Sequence, residues 1–288
     1  MNCDIIIPIW NQLGFTKNCL NSIFENTGLS YELILVDNNS GHETKNYLED
    51  ISKKFANVVW LENSENLGFI KAVNIGIRAS SSRYICVMNN DTIVTKGWLE
   101  ELLDILEKNP DIAIVNPASN NLGIFPENGL PLEDFAQRIK IFKGKWVEIT
   151  AAIGFCMVFK RELISKIGLF DEIYGMGNFE DTDYSRKAQS IGFKCAMAKA
   201  SYVWHAQNSS FKLLKKFDKS FRENKKIFED RWGAPERILY VLGSPRGSRF
   251  LSMSQGALSS ARKGNWITVF KSADSDISDI PDHAGIMI

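Results

Sequence analysis

The sequence predicts an α/β fold, a mostly parallel central sheet flanked by helices, with a C-terminal helical extension. Two observations predict the sheet. Short apolar runs rich in β-branched residues alternate with longer amphipathic stretches through the first 107 residues, the rhythm of strand–helix–strand units. Three of the runs also end in polar clusters, and parallel sheets bind ligands beyond the C-terminal ends of their strands.

The elements follow in order. Residues 4–9 (DIIIPI) form the first strand, and residues 15–25 carry Phe15, Cys19, Leu20, Ile23 and Phe24 at helical spacing. Residues 31–36 (YELILV) form the second strand, which ends in the turn formers Asp37-Asn38-Asn39-Ser40-Gly41. A helix over 43–55, a strand over 58–62, a helix over 67–79 and a strand over 84–88 come next, then Asn89-Asn90-Asp91 and a helix over 98–107. Beyond Asn116 the rhythm changes. Residues 117–145 predict a long loop with a short helix over 132–140, and residues 146–160 one or two strands. Helices over 161–167 and 179–190, a strand over 193–198 and a long basic helix over 213–232 complete the second half. Past Gly243, residues 248–271 predict an amphipathic helix and residues 272–288 a loose tail.

Composition narrows the class. The chain has 288 residues, 44% hydrophobic, with 34 Lys and Arg against 34 Asp and Glu, so its charge gives no argument for nucleic acid. Residues 212–271 hold 14 Lys and Arg against 5 Asp and Glu, which suits a solvated helical face or contact with an anionic membrane. Five scattered cysteines without a CxxC pair predict reduced core thiols and a cytoplasmic setting. No apolar stretch approaches the ~20 residues that span a bilayer, so a soluble protein is expected, at most peripheral at the inner face of the membrane.

The polar strand ends carry the chemistry. Trp10-Asn11-Gln12, Asp37-Asn38-Asn39 and Asn89-Asn90-Asp91 would gather along one sheet edge, where a nucleotide could lie. Asp37 is placed to accept from a base N–H and a ribose hydroxyl, although Asp is also a frequent turn former. A diphosphate leaving group calls for a divalent cation with oxygen ligands, which makes Asp91 a candidate ligand; an Asx turn is the alternative. Phe179-Glu180-Asp181-Thr182-Asp183 is the densest acidic cluster. Asp181 and Asp183 cannot share a helix face, so at most one aims at a site, where it would take a proton from an attacking hydroxyl. Acids at a helix N-terminus are also favoured for their own sake. His205 suits a metal or a satisfied core position. Phosphate-loop, dinucleotide and nucleophile-elbow motifs and paired-Cys zinc spacings are missing from the sequence.

Taken in order, these residues resemble glycosyltransferase family 2, which has the GT-A fold. The resemblance runs through Pro8-Ile9-Trp10-Asn11, Leu35-Val36-Asp37-Asn38-Asn39-Ser40 and Asn66-Leu67-Gly68-Phe69 with Ala72, Asn74 and Gly76. It continues in Met88-Asn89-Asn90-Asp91-Thr92, in Gly168-Leu169-Phe170-Asp171-Glu172 with the acidic cluster, and in Arg231-Trp232-Gly233. It covers roughly residues 3–233. It implies that Pro8, Trp10, Asn11, Asp37, Asn39, Asn66, Gly68, Asn89, Asn90 and Asp91 face the donor, with Asp37 on the base. Asp91 and His205 would bind Mn²⁺ or Mg²⁺, Asp181 would be the catalytic base, and Gly154, Glu180 and Asp183 would lie on the acceptor side. The family inverts the anomeric centre by direct displacement.

Two departures stand out. Asn89 replaces the first Asp of the family's DxD, removing one charged metal ligand. No QxxRW motif precedes Arg231-Trp232, which favours single transfer over polymerisation. Asn-Asn-Asp-Thr is similar to rhamnosyltransferase-like members. The expected division is a nucleotide-sugar-binding half over 1–115, an acceptor-binding and catalytic half over 116–243, and an extension over 244–288. The expected partners are a UDP- or dTDP-sugar and a glycan, lipid-linked glycan or protein acceptor, with the extension a candidate homodimer contact. Two rivals remain, a catalytically degenerate sugar-nucleotide-binding protein and a sugar nucleotidyltransferase, although Trp10-Asn11-Gln12-Leu13-Gly14 lacks the latter's basic glycine-rich loop.

Overall fold

The computed structural model describes residues 2–127, 129–207, 217–242, 248–271, 277 and 280–288. Its first half is β1 (Cys3–Ile9), α1 (Leu13–Asn26), β2 (Tyr31–Asp37), α2 (His42–Lys54), β3 (Val58–Glu62), α3 (Gly68–Ala79) and β4 (Tyr84–Met88). These strands are parallel, in the order β3-β2-β1-β4. Every residue of β1 is buried. Ile5, Ile7 and Ile9 join Cys19, Leu20 and Ile23 of α1 in one core layer, while Ile6 joins Ile70, Val73 and Ile77 of α3 in the other. A parallel strand covered on both faces reads as a continuous apolar run, as DIIIPI does.

The second half is β5 (Thr92–Val94), α4 (Trp98–Lys108), β6 (Ile112–Ala118), α5 (Leu132–Ile139), β7 (Trp146–Ile149), β8 (Cys156–Lys160), α6 (Glu162–Ile167), α7 (Glu180–Ser190), β9 (Lys194–His205) and α8 (Phe217–Trp232). β8 enters antiparallel between β4 and β6, and β9 runs parallel to β6. β9 also pairs antiparallel with β7 and with β5, setting Thr92 against His205. That register carries the turn after β4 to the end of β9.

Several expectations need correction. β5 and β6 were not expected, and β9, expected over 193–198, runs on to His205. Its partner register jumps from Pro117 opposite Ala198 to Ala118 opposite Tyr202, a bulge that hides the strand period. Of the helix expected over 213–232, residues 213–216 lie outside the described residues. The helix expected over 248–271 stops at Arg262, and a left-handed Gly264 turns the chain into a strand.

The extension therefore carries strands as well as a helix: β10 (Arg237–Leu242), α9 (Ser248–Arg262), β11 (Trp266–Lys271) and β12 (Ile286–Met287), the three strands parallel. It rests on the main sheet at the buried Glu148 of β7, which takes both arms of the Arg262 guanidinium. The Ala284 amide bonds to the Glu148 carbonyl at 2.8 Å. No helix among the described residues is long and apolar enough to cross a membrane.

Candidate active site

The C-terminal ends of β1 and β2 are laced together by short side chains. Asp37, paired with Ile9, is fully buried; its Oδ1 accepts the Ser40 N–H at 3.0 Å, and its Oδ2 has no partner. The Asn11 N–H donates to Ser40 Oγ at 2.8 Å, and the Gly41 N–H to Asn11 Oδ1 at 2.7 Å. Asn11, Gln12 and Asn39 hold φ of 57°, 57° and 59°, a conformation that Asn tolerates better than most residues. Pro8 is buried inside β1 and Trp10 is half-buried just past it.

Asn38 Nδ2 donates to the Gly68 carbonyl at 3.0 Å, and the Gly68 N–H to Asn66 Oδ1 at 2.9 Å. A Cβ on Gly68, whose φ is +83°, would come within 2.9 Å of the Met176 backbone. The Asn66-Leu67-Gly68 turn thus packs the start of α3 against the loop before α7.

The turn after β4 splits its three polar side chains. Asn90 turns inward and donates to Thr16 Oγ1 at 2.9 Å. Asp91 Oδ1 lies 3.0 Å from His205 Nε2, and Asn89 Nδ2 lies 3.3 Å from the same nitrogen. Asn120 fixes His205 by accepting its N–H at 2.9 Å and donating to its carbonyl at 2.8 Å, while the Phe155 ring stacks on the imidazole. His205 Nδ1 is buried without a partner. Adjacent donors on an octahedral ion with bonds of about 2.1 Å stand about 3 Å apart, so Asp91 and His205 fit two neighbouring positions of one cation. Among the described residues no third His, Cys, Asp or Glu completes a cluster with them.

The acidic cluster opens α7 behind two left-handed residues, Asn178 and Phe179, with φ of 78° and 74°. Asp181 Oδ2 accepts the Gly154 N–H at 2.8 Å; its Oδ1 accepts the Thr182 N–H at 2.6 Å and the Thr182 hydroxyl at 3.1 Å. Burial raises the Asp181 pKa, and these hydrogen bonds oppose the rise. Glu180 has fewer supports. Burial first, and the Asp181 charge second, push it up to about 8, and its Oε2 is buried without a partner.

Asp183 was expected on the acceptor side, with solvation or a cap if it did not aim at a site. It is instead fully buried and points into an ion-pair cluster. Its Oδ1 accepts from Arg231 Nη1 and Trp232 Nε1, both at 2.8 Å, and from the Tyr174 hydroxyl at 3.1 Å, while Lys187 Nζ stands 2.9 Å from Oδ2. It anchors α8 to α7.

Asn89, Gly154, Glu180, Asp181 and His205 line one cleft of about 410 Å³, with Phe69, Phe155, Phe179 and Phe221 among its walls. Asp91 adjoins it through His205, and Asp183 is not part of it. Sequence reasoning missed Asn120, Phe155 and Phe221, which carry no motif; the acidic cluster was the only signal near Asn178 and Phe179.

The chain is similar to known proteins. The profile described as glycosyl transferase family 2 matches residues 4–168. An uncharacterized glycosyltransferase of Haemophilus influenzae is 32% identical over 114 residues, 38% of this chain and 35% of that protein. Glycosyltransferase AglE of Haloferax volcanii is 23% identical over 217 residues, 74% of this chain and 69% of that protein. Glycosyltransferase GlyA of Streptococcus pneumoniae matches over only 17% of its length, so this chain spans a minor part of several such relatives.

Among solved structures, the mannosyltransferase PcManGT of Pyrobaculum calidifontis, in complex with GDP-Man and Mn²⁺, has TM-score 0.57 at 17% identity, covering 73% of this chain and 59% of that one. GalNAc-T7 with UDP, GalNAc and Mn²⁺ has TM-score 0.62 at 17% identity, covering 81% and 49%. At these identities the likeness shows the fold alone, that of GT-A glycosyltransferases.

Proposed function

We propose that this chain, which belongs to glycosyl transferase family 2, transfers a glycosyl group from a nucleotide sugar, in a single inverting transfer from a UDP- or dTDP-sugar to an acceptor hydroxyl. The observation that carries this reading is the meeting of Asn89, Asp181 and His205 in one cleft, with Asp91 3.0 Å from His205.

In this reading Asp37, at the end of β2, holds the base or ribose, and Asn11, Asn39, Asn66 and Gly68 hold the donor's edge in shape. Asp91 and His205 would hold Mn²⁺ or Mg²⁺, which would supply positive charge to offset that of a departing diphosphate. Ions of this kind commonly take phosphate oxygens and water as further ligands, so Asn89 in place of an acid would cost charge without removing the two protein ligands. Asp181 accepts the proton of the attacking hydroxyl. Its hydrogen bonds from Gly154 and Thr182 fix the carboxylate in place, and Gly154 and Glu180 face the acceptor.

The acceptor we favour is a glycan, free or lipid-linked, with the chain cytoplasmic and peripheral at the inner membrane face; the basic residues after Lys212 support membrane contact. The quartet Asn89-Asn90-Asp91-Thr92 alone supports a rhamnosyltransferase-like specificity. A bare apolar face of the extension is where we place a homodimer. The test of function is a panel of nucleotide sugars with simple sugar acceptors, with and without Mn²⁺. Asp181→Asn should cut turnover by roughly 10²–10⁴, the usual worth of a general base, and leave donor binding intact. Near-normal turnover in that variant would refute Asp181 as the base.

A further inference from the structure

The turn between α5 and β7 holds Lys140-Ile141-Phe142-Lys143-Gly144-Lys145. Ile141 is 82% exposed, more than any other large apolar side chain among the described residues, and Phe142 beside it is 44% exposed. The apolar residues that flank the pair turn inward, Ile139 onto the cluster of Phe135 and Tyr202 and Trp146 onto the main core. The backbone does not leave the pair free to follow them. Gly144, at φ +73°, donates its N–H to Oε1 of the buried Glu101 at 2.6 Å. The Lys145 carbonyl accepts the Lys199 N–H at 2.9 Å, and the Lys145 N–H closes onto the Phe142 carbonyl at 2.8 Å. Single exposed apolar side chains are ordinary. A tethered pair on a tied turn is a surface held out for contact.

The charges around the pair select its partner. The sequence from Phe135 to Val147 holds no Asp or Glu; Lys143 and Lys145 are exposed and Lys140 is half-exposed. None of the three ammonium groups has an ion-pair partner among the described residues. We propose that this turn docks the chain on an anionic bilayer, with Ile141 and Phe142 in the interfacial layer and Lys140, Lys143 and Lys145 at the headgroups. Two apolar side chains ringed by cations match that layer, where apolar residues sink and lysine stems reach back to the phosphates. A protein partner would ask for a wider apolar face. Trp146 stands opposite Ala198, and Ala198 opposite Pro117, so the turn leaves the sheet at the end where β9 reaches His205. Docking here brings the cleft's end of the sheet to the membrane. The inference rests on the peripheral placement proposed above and gives it a surface distinct from the residues after Lys212.

The test is sedimentation of the full chain with vesicles of phosphatidylcholine alone and with vesicles of equal parts phosphatidylcholine and phosphatidylglycerol. It should bind the anionic vesicles and leave the neutral ones. Ile141→Ser with Phe142→Ser should weaken that binding by at least about tenfold, the worth of burying one such side chain. Lys143→Gln with Lys145→Gln should weaken it roughly 10–30-fold, at about fivefold for each lysine near an anionic surface. Neither pair should lower the melting temperature, because these side chains lie outside the core. The five cysteines are buried, so a nitroxide on Ile141→Cys reports one position. On anionic vesicles it should gain collisions with oxygen and lose those with a nickel chelate.

Equal binding to neutral vesicles, no binding to either kind, or undiminished binding by the Ile141 and Phe142 variant would each overturn the proposal. So would a lipid-free self-association that this variant abolishes, which would assign the turn to a second copy. Lys219→Gln with Lys226→Gln, both on α8, separates the turn from the broader membrane placement. If only that variant loses anionic binding, the turn fails and the placement stands. Transfer activity toward soluble acceptors is a separate result.

Discussion

Glu180 and Asp181 are neighbours in sequence but differ in what supports their charge, and that difference has a measurable cost. The folded chain binds the Glu180 proton more tightly than the unfolded chain does, since its pKa rises from 4.5 to about 8. The stability linked to that proton is complete below about pH 4.5 and is lost as pH climbs through about 8. Calorimetric melting of the native chain should therefore decline across this window more steeply than that of Glu180→Gln, which has no proton to lose. Asp181 shifts in the same direction in both proteins and cancels in the comparison. Parallel melting curves would mean that Glu180 ionises as an ordinary carboxylate.

At the scale of elements, α3 shows how tightly helices are seated on the sheet. A Cβ on Gly76 would collide with Ile6 Cγ2 and stand 3.2 Å from Val36 Cγ2. Gly76→Ala should cost about 1–3 kcal/mol through overpacking and lower the melting temperature by roughly 2–4 °C for each kcal/mol. Gly14→Ala, where nothing lies within 4 Å, should leave it unchanged or raise it. Equal melting of the two variants would contradict the packing described.

The same elements show how much was legible beforehand. β3 and β4 could be read to the residue because each is a short apolar run between polar neighbours, although β4 is buried throughout and β3 is a half-exposed edge strand. β9 could not, because its bulge breaks the period, and β5, at three residues, is too short to carry one. Asp37, Asp91, Asp181 and His205 were singled out by their order in the chain, and of these the structure brings Asp181 and His205 to one cleft, with Asp91 3.0 Å from His205. The partners that fix such residues were not singled out: Asn120 clamps His205 across 85 residues of sequence, and Arg231 reaches Asp183 across 48. Such bonds follow from tertiary packing, and neither end carries a local pattern.

At the scale of the whole molecule, the sheet unites the polar strand ends of the first half with a helix N-terminus and a strand end from the second. The extension adds an unfinished surface. The register of β10, β11 and β12 puts Arg237, Leu239, Val241, Trp266, Phe270 and Met287 on one face, all exposed, while α9 covers the other. Parallel sheets are normally covered on both faces. The apolar residues of this face present on the order of 600 Å² per copy, near the ~800 Å² each partner gives a standard interface. Sedimentation should show self-association that Val241→Asp with Phe270→Asp abolishes without loss of melting temperature. A native chain that remains monomeric at high concentration would contradict this placement.

Asp37 lies outside the lining of the cleft that holds Asp181 and His205, so whether nucleotide, cation and base share one site is tested most directly by Mn²⁺ bound with UDP, through paramagnetic broadening of backbone amides. The amides of Ser40, Gly154, Thr182 and His205 should broaden together at a single saturating concentration, and Asp91→Ala should restore all four at once. Broadening confined to one of these segments, or persisting unchanged in Asp91→Ala, would show that they do not share a site.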